Sequence, residues 1–140
     1  MKSTVDTNVL VALWDEDDDL NTIALSVFDR AQRLGGLVVP APVYAELMAL
    51  PGRTEPFLDQ FFADTGMYVD WKFEERIWRN AGLAFQTFVR RRSRQATTGP
   101  RRILADFLIG AYALAHGYRL LTLDDRLYRA AFPALTLIRI

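Results

Sequence analysis

Residues 103–124 read ILADFLIGAYALAHGYRLLTLD. The first two-thirds of this stretch are apolar at nearly every position, the pattern of a helix buried on all sides. Gly117 ends that helix, because glycine accepts the left-handed backbone of a C-cap. Arg119–Thr122 then reads as a short buried strand. A helix delivered straight into a strand is half of a βαβ unit, and the flanking sequence repeats the alternation. Upstream, Ser3–Val5 is a β-prone entry and Val9–Trp14 a short apolar helix. Leu20, Ile23, Ala24, Val27, Phe28, Ala31 and Leu34 recur with helical spacing and stop at Gly35-Gly36. Leu37–Val39 is a strand closed by Pro40, and Pro42 suits the first turn of a helix reaching Leu50. Thr54 can cap a helix to about Asp64, Met67–Val69 is a strand, and Glu74 to about Arg92 is a long helix. That long helix carries Ile77, Trp78, Ala81, Phe85, Phe88 and Val89 on one side, and Gln95–Arg102 is a loop marked by Gly99-Pro100. Downstream come a helix over Asp125–Phe132 and a strand over Leu135–Ile140. Strands alternating with helices predict an α/β fold, a mainly parallel sheet covered on both faces in three α/β/α layers.

Composition narrows the function. The length of 140 residues suits one domain, residues 1–140, and 51% hydrophobic residues supply a core without staples. The absence of cysteine excludes disulfides, thiolate nucleophiles and Cys-based metal sites. A single histidine, His116, excludes a ribonuclease working through a histidine pair. Seventeen basic and seventeen acidic residues cancel, so any polyanion must be recognised locally. The apolar run Val9–Trp14 is too short for a signal-peptide core, and Ile103–Ala115 is shorter than the ~18–20 residues of a membrane span. A reducing, cytoplasmic setting without membrane contact is therefore expected.

Most carboxylates need no function. Asp15-Glu16-Asp17-Asp18-Asp19 reads as a solvated loop between helices. Four other acids sit where acids are expensive. Asp6 and Asp124 follow strands, Glu46 stands in Val43-Tyr44-Ala45-Glu46-Leu47-Met48, and Asp106 interrupts the buried helix. Asp6 or Asp124 alone could be a helix N-cap, and Glu46 alone could reach solvent. Asp106 is harder to dismiss, since an unpaired buried carboxylate costs several kcal/mol or takes up a proton. Its place in the first helical turn returns only ~0.3–1 kcal/mol from the helix dipole. Ligand sites in open parallel sheets form beyond the carboxyl ends of the strands, where these four segments can meet. No lysine or arginine is interleaved to neutralise them, so the pattern predicts a hard-cation site with oxygen ligands, for Mg²⁺ or Mn²⁺.

Val5-Asp6-Thr7-Asn8-Val9-Leu10, Pro42-Val43-Tyr44-Ala45-Glu46-Leu47, Ala105-Asp106-Phe107-Leu108-Ile109-Gly110-Ala111 and Leu121-Thr122-Leu123-Asp124 resemble, in order, the four acidic motifs of PIN-domain ribonucleases. Size and acidic pattern are most similar to the VapC-type toxins of toxin–antitoxin pairs. The resemblance covers nearly the whole chain. It implies a metal-dependent endoribonuclease with Asp6, Glu46, Asp106 and Asp124 as its catalytic acids. Asp6, Asp106 and Asp124 would hold the metal, and Glu46 would either bind it or orient the attacking water. Asn8 and Thr122 would hold the carboxylates by hydrogen bonds. Asp125 follows Asp124 directly, leaving open which of the two faces the metal, and the Thr-x-Asp spacing favours Asp124. The resemblance further implies a homodimer, a small antitoxin whose tail enters the acidic groove, and products with 5′-phosphate and 3′-hydroxyl ends.

Substrate phosphates need positive charge from elsewhere. Arg90, Arg91, Arg92, Arg94, Arg101 and Arg102 fall in a stretch without an acid, just ahead of the Asp106 helix. They read either as a phosphate clamp for RNA or as a solvated helix end complementing the dipole. Competing readings are weaker. A receiver-like phospho-accepting domain would need an acidic pair after the first strand and a lysine at a late strand end, but the lysines are Lys2 and Lys72. A haloacid-dehalogenase-like phosphatase needs Asp-x-Asp, and Asn8 stands at the second acid. No segment resembles the helical arch of a DNA flap nuclease. A catalytically inactive scaffold of PIN shape remains the main alternative.

Overall fold

The computed structural model describes residues 2–95 and 104–139. Among them five strands form one sheet: β1 (Ser3–Val5), β2 (Leu37–Pro40), β3 (Tyr68–Asp70), β4 (Arg119–Thr122) and β5 (Leu137–Arg139). The helices are α1 (Thr7–Trp14), α2 (Asn21–Arg33), α3 (Ala41–Leu47), α4 (Glu55–Thr65), α5 (Glu75–Gln95), α6 (Leu104–His116) and α7 (Arg126–Ala131). Every ladder is parallel, in the order β3-β2-β1-β4-β5. Side chains alternate between sheet faces, yet every residue of β1 and β2 is buried. Helices therefore cover both faces, and the three-layer α/β/α expectation holds.

Strand order explains where a site can open. From β1 the chain steps outward through β2 to β3, then returns to the other side of β1 as β4. Connections leaving β1 and β4 part in opposite directions, so a crevice forms beyond their carboxyl ends. Register sharpens this: Val5 pairs with Leu121, and the Asp6 N–H donates to the Leu121 carbonyl at 2.9 Å. Asp6 and Thr122 thus emerge side by side.

Local signals set most boundaries. Thr54 caps α4, its Oγ1 accepting from the Phe57 N–H at 3.3 Å, and Gly66 ends that helix in the left-handed region. The expected strand Met67–Val69 forms one residue later, where Asp70 pairs with Pro40 and its Oδ2 accepts from the Tyr112 hydroxyl at 2.8 Å. Two helices differ from expectation in what they bury. On α2, Ala24 and Ala31 are buried while Leu20, Ile23 and Leu34 are exposed. α2 packs against α1, and Val27 and Phe28 are partly buried against the core beside the alanines. On α5, Ile77 and Ala81 are buried, but Trp78 and Val89 face solvent. The expected loop Gln95–Arg102 lies outside the described residues except for Gln95, which ends α5.

α6 is the central helix of its layer, in contact with α3, α5, α7 and β4. Seven consecutive residues, Phe107–Ala113, are buried, as an all-round apolar helix requires. Phe107 stacks on Phe85 and meets Phe88 and Phe132. Gly110 leaves room for Phe132: a Cβ there would lie 2.4 Å from Cε2 and 2.6 Å from Cδ2 of that ring. Alanine in a helix normally gains about 1 kcal/mol over glycine, whereas forcing extra volume into a packed core costs about 1–3 kcal/mol. At 2.4 Å a buried ring must move, so the packing cost wins. Gly110→Ala is expected to lower the thermal midpoint by several degrees with the far-UV circular dichroism spectrum unchanged. An unchanged or raised midpoint would show that Phe132 yields freely.

Candidate active site

The four acids singled out in the sequence, Asp6, Glu46, Asp106 and Asp124, come from four segments to line one pocket of about 430 Å³, joined there by Asp18. Asp6 leaves β1 in an extended conformation and N-caps α1, Oδ1 accepting from the Thr7 N–H at 2.8 Å. Its Oδ2 accepts from the Thr122 hydroxyl at 3.0 Å and the Tyr128 hydroxyl at 2.9 Å. Asp6 is therefore both a cap and a pocket wall. Glu46, half-buried on α3, accepts at Oε1 from the Thr7 hydroxyl at 2.7 Å. Asp106 is half-buried in the first turn of α6. Asp124 follows β4 and is exposed, its Oδ1 accepting from Arg126 Nε at 3.3 Å.

Crowding of like charge shows in the acidities. Burial, then Asp6, Glu46 and Asp124, push Asp106 up to about 7 against an opposing hydrogen bond from Tyr128. Burial pushes Asp6 up to about 6, although Tyr128, Thr122 and the Thr7 N–H all favour its charged form. The Tyr128 hydroxyl is raised well above its ordinary value by burial and by Asp6 and Asp106, so it stays a donor. Neutral donors alone do not make up for the lost water, and the site is short of positive charge.

The donor set suits a hard divalent cation: the lining groups are carboxylate, amide and hydroxyl oxygens, without sulfur or imidazole. As the side chains stand, no three acids or histidines among the described residues come close enough to enclose an ion. Asp124 is directed to Arg126, and ligation from it requires that exposed side chain to turn.

Several expectations change. The reading that no basic group balances the acids fails at Asp124, where Arg126 pairs with it; the pair is exposed and contributes little. Asp125 is buried beside Arg129, with which it forms an ion pair, and is not on the pocket wall. Thr122 holds Asp6 directly, whereas Asn8 holds backbone, its Oδ1 accepting from the Leu123 N–H at 3.2 Å. Arg91 lines a separate groove with Leu83, Phe88 and Pro133, and Arg90 lies with Phe85 and Val89. Neither lines the acidic pocket. Arg92 and Arg94 belong to the last turns of α5, and Arg101 and Arg102 lie outside the described residues.

Three polar lining residues carried no assigned role in the sequence. Asp18 belongs to the run read as solvated, yet it reaches the pocket. Thr7 was hidden by its neighbour Asp6. Tyr128 gave no local signal, because Asp124 precedes α7 and the contact of Tyr128 with Asp6 spans 122 residues.

In metal-free protein, Asp6 and Asp106 hold protons in the folded state that they release when unfolded, between the ordinary carboxyl value of 3.8 and about 6 and 7. Folding stability from these groups therefore falls as pH rises through that window and levels off above it. In EDTA at pH 8, Asp106→Asn is expected to raise stability by roughly 1–2 kcal/mol, a figure reduced for its partial exposure. At pH 5 the difference should shrink. A thermal melt in which the variant is no more stable at pH 8 than wild type overturns the crowding argument.

The family model described as PIN domain matches residues 4–133. Solved structures share the fold. VapBC2 from Rickettsia felis, bound to a DNA fragment from their promoter, aligns at 17% identity over 100% of this chain and 99% of that one, with a TM-score of 0.65. VapBC-1 from nontypeable Haemophilus influenzae aligns at 17% identity over 99% and 98%, with a TM-score of 0.66. FitAcB from Neisseria gonorrhoeae aligns at 18% identity over 96% and 95%, with a TM-score of 0.63. Likeness at these identities is one of fold. No curated protein matches the sequence. The family match runs from β1 through α7 and takes in every residue on the wall of the acidic pocket, and the chain belongs to the PIN-domain family.

Proposed function

We propose that this protein is an Mg²⁺- or Mn²⁺-dependent endoribonuclease, the VapC-like toxin of a toxin–antitoxin module. One observation carries the reading: Asp6, Glu46, Asp106 and Asp124, remote in sequence, line a single pocket at the switch point of a parallel sheet. Acids gathered at a cost to stability are understandable as ligands. Asp6, Asp106 and Asp124 would hold the cation. When bound, such an ion stabilises charge on the scissile phosphate and makes bound water a stronger nucleophile. Glu46, with Oε1 held by Thr7 at 2.7 Å, would bind the ion or orient the attacking water and accept its proton. Asn8 steadies the loop that carries Asp124 through Leu123.

RNA phosphates would meet arginines displaced from the pocket. Phe85 and Phe88 pack on Phe107, which brings the arginine-bearing end of α5 beside the first turns of α6. Arg90 and Arg91 would then supply positive charge for the phosphates, with Arg92, Arg94, Arg101 and Arg102 as further candidates from the sequence. An antitoxin partner and a homodimer are part of the proposal. The solved structures that share the fold include toxin–antitoxin complexes, and this chain exposes Leu25, Trp71, Trp78 and Leu83. A cytoplasmic location accords with the lack of cysteine, and no described helix is long and apolar enough to cross a membrane.

Purified protein should cleave RNA with Mg²⁺ or Mn²⁺ and stop in excess EDTA. Removing groups that merely support a metal ligand costs about 10–100-fold, so Asp6→Asn and Asp106→Asn should lose at least a hundredfold. Mg²⁺ should also raise the melting temperature, by about 2.7 kcal/mol of stabilisation at a hundred times its Kd, and less in Asp106→Asn. Undiminished cleavage in EDTA overturns the proposal, and metal binding without cleavage favours an inactive scaffold.

A further inference from the structure

Tyr128 enters neither the acidic quartet nor the family resemblance, yet its hydroxyl reaches the most buried acid of the pocket. Its ring is 1% exposed, and its hydroxyl lies 2.9 Å from Asp6 Oδ2. The same oxygen accepts from the Thr122 hydroxyl at 3.0 Å, while Oδ1 accepts from the Thr7 N–H at 2.8 Å. A carboxylate offers about four acceptor positions, two on each oxygen. On Asp6, both positions of Oδ2 are taken and one position of Oδ1 remains.

We propose that Tyr128 is a positioning residue that, together with Thr122, saturates Oδ2 of Asp6, so that Asp6 meets a cation through Oδ1 alone and in one orientation. This rests on the metal-dependent reading above. Thr122 cannot do this alone. Its hydroxyl accepts from the Asp124 N–H at 3.1 Å, and its proton has a second acceptor in the Asp124 carbonyl at 3.1 Å. Tyr128, on α7, supplies the second donor to that oxygen.

Single-oxygen ligation matters for ion choice. Mg²⁺ and Mn²⁺ sites of this kind favour compact six-fold shells of single oxygens, whereas Ca²⁺ accepts two-oxygen carboxylates in larger, flexible shells. Tyr128→Phe keeps the ring and frees a position on Oδ2, which opens two-oxygen binding.

The test is calorimetric titration of Mn²⁺ and of Ca²⁺ into wild type, Tyr128→Phe and Thr122→Val, each shown to be folded by its melt. Mn²⁺ affinity is expected to fall about tenfold in Tyr128→Phe, and Ca²⁺ affinity to fall less, so the Mn²⁺/Ca²⁺ preference narrows. Equal losses for both ions, or no loss, overturn the role. Should Tyr128→Phe not fold, Thr122→Val opens the other position on the same oxygen and is judged by the same ratio. Wild type that binds no Mn²⁺ removes the metal-dependent reading and this role together. Wild type that binds it, with an unchanged preference in the variants, removes the role alone.

Discussion

The parallel pairing of β1 with β4 is the constraint from which the rest of the molecule follows. Their ladder ends at Val5 opposite Leu121, and the next backbone bond, from the Asp6 N–H to the Leu121 carbonyl at 2.9 Å, carries the pairing one residue past the strand. That bond sets Asp6 beside Thr122 and starts α1 and the β4–α7 loop at the same level. Because β2 lies on the other side of β1, the two connections diverge and leave space between them. Without this register Asp6 would be an ordinary helix cap. With it, the same carboxylate serves as cap, pocket wall and hydrogen-bond hub.

Around that hub the protein supplies neutral donors where it could have placed cations. Thr7, Thr122 and Tyr128 favour the charge on Asp6, and Thr7 holds Glu46, but burial and mutual repulsion still raise Asp6 and Asp106. An arginine in the pocket would relieve that repulsion and fill the space a ligand needs. The basic side chain that does approach, Arg126, meets the exposed acid Asp124 at the rim. Strain of this kind, kept at one place and supported by a well-packed α6, is the usual compromise between stability and a working site.

Packing behind the pocket supplies the rigidity. α6 is buried through seven successive residues, and Gly110 lets Phe132 approach its backbone. Asp106 is thereby fixed in the first turn of a helix buried through seven successive residues, while Asp124 stands exposed on a loop. Ligands drawn from one rigid and one adaptable element can fit an ion without distorting the core.

Much of this was legible in the chain itself. Periodicity, Gly117, Thr54 and the Pro-bearing starts of helices are local signals, set by residues within a turn or two, and they place the elements in the right order with ends off by up to three residues, as at α3, which stops at Leu47 and not Leu50. The four acids could be picked out because each breaks an apolar or strand-end context, again a local property. What the sequence left undetermined was decided over long separations. Tyr128 meets Asp6 across 122 residues and Thr122 meets it across 116. Asp18 reaches the pocket from a run that looks solvated, Arg126 turns to Asp124, and of the apolar face expected on α2 Ala24 and Ala31 are buried while Leu20, Ile23 and Leu34 are exposed. Sequence alone determined that strands alternate with helices and that certain carboxylates are costly where they stand. Tertiary structure decided which groups share their space, because strand order and register depend on pairing energies summed over the whole sheet, and no window of neighbouring residues contains them.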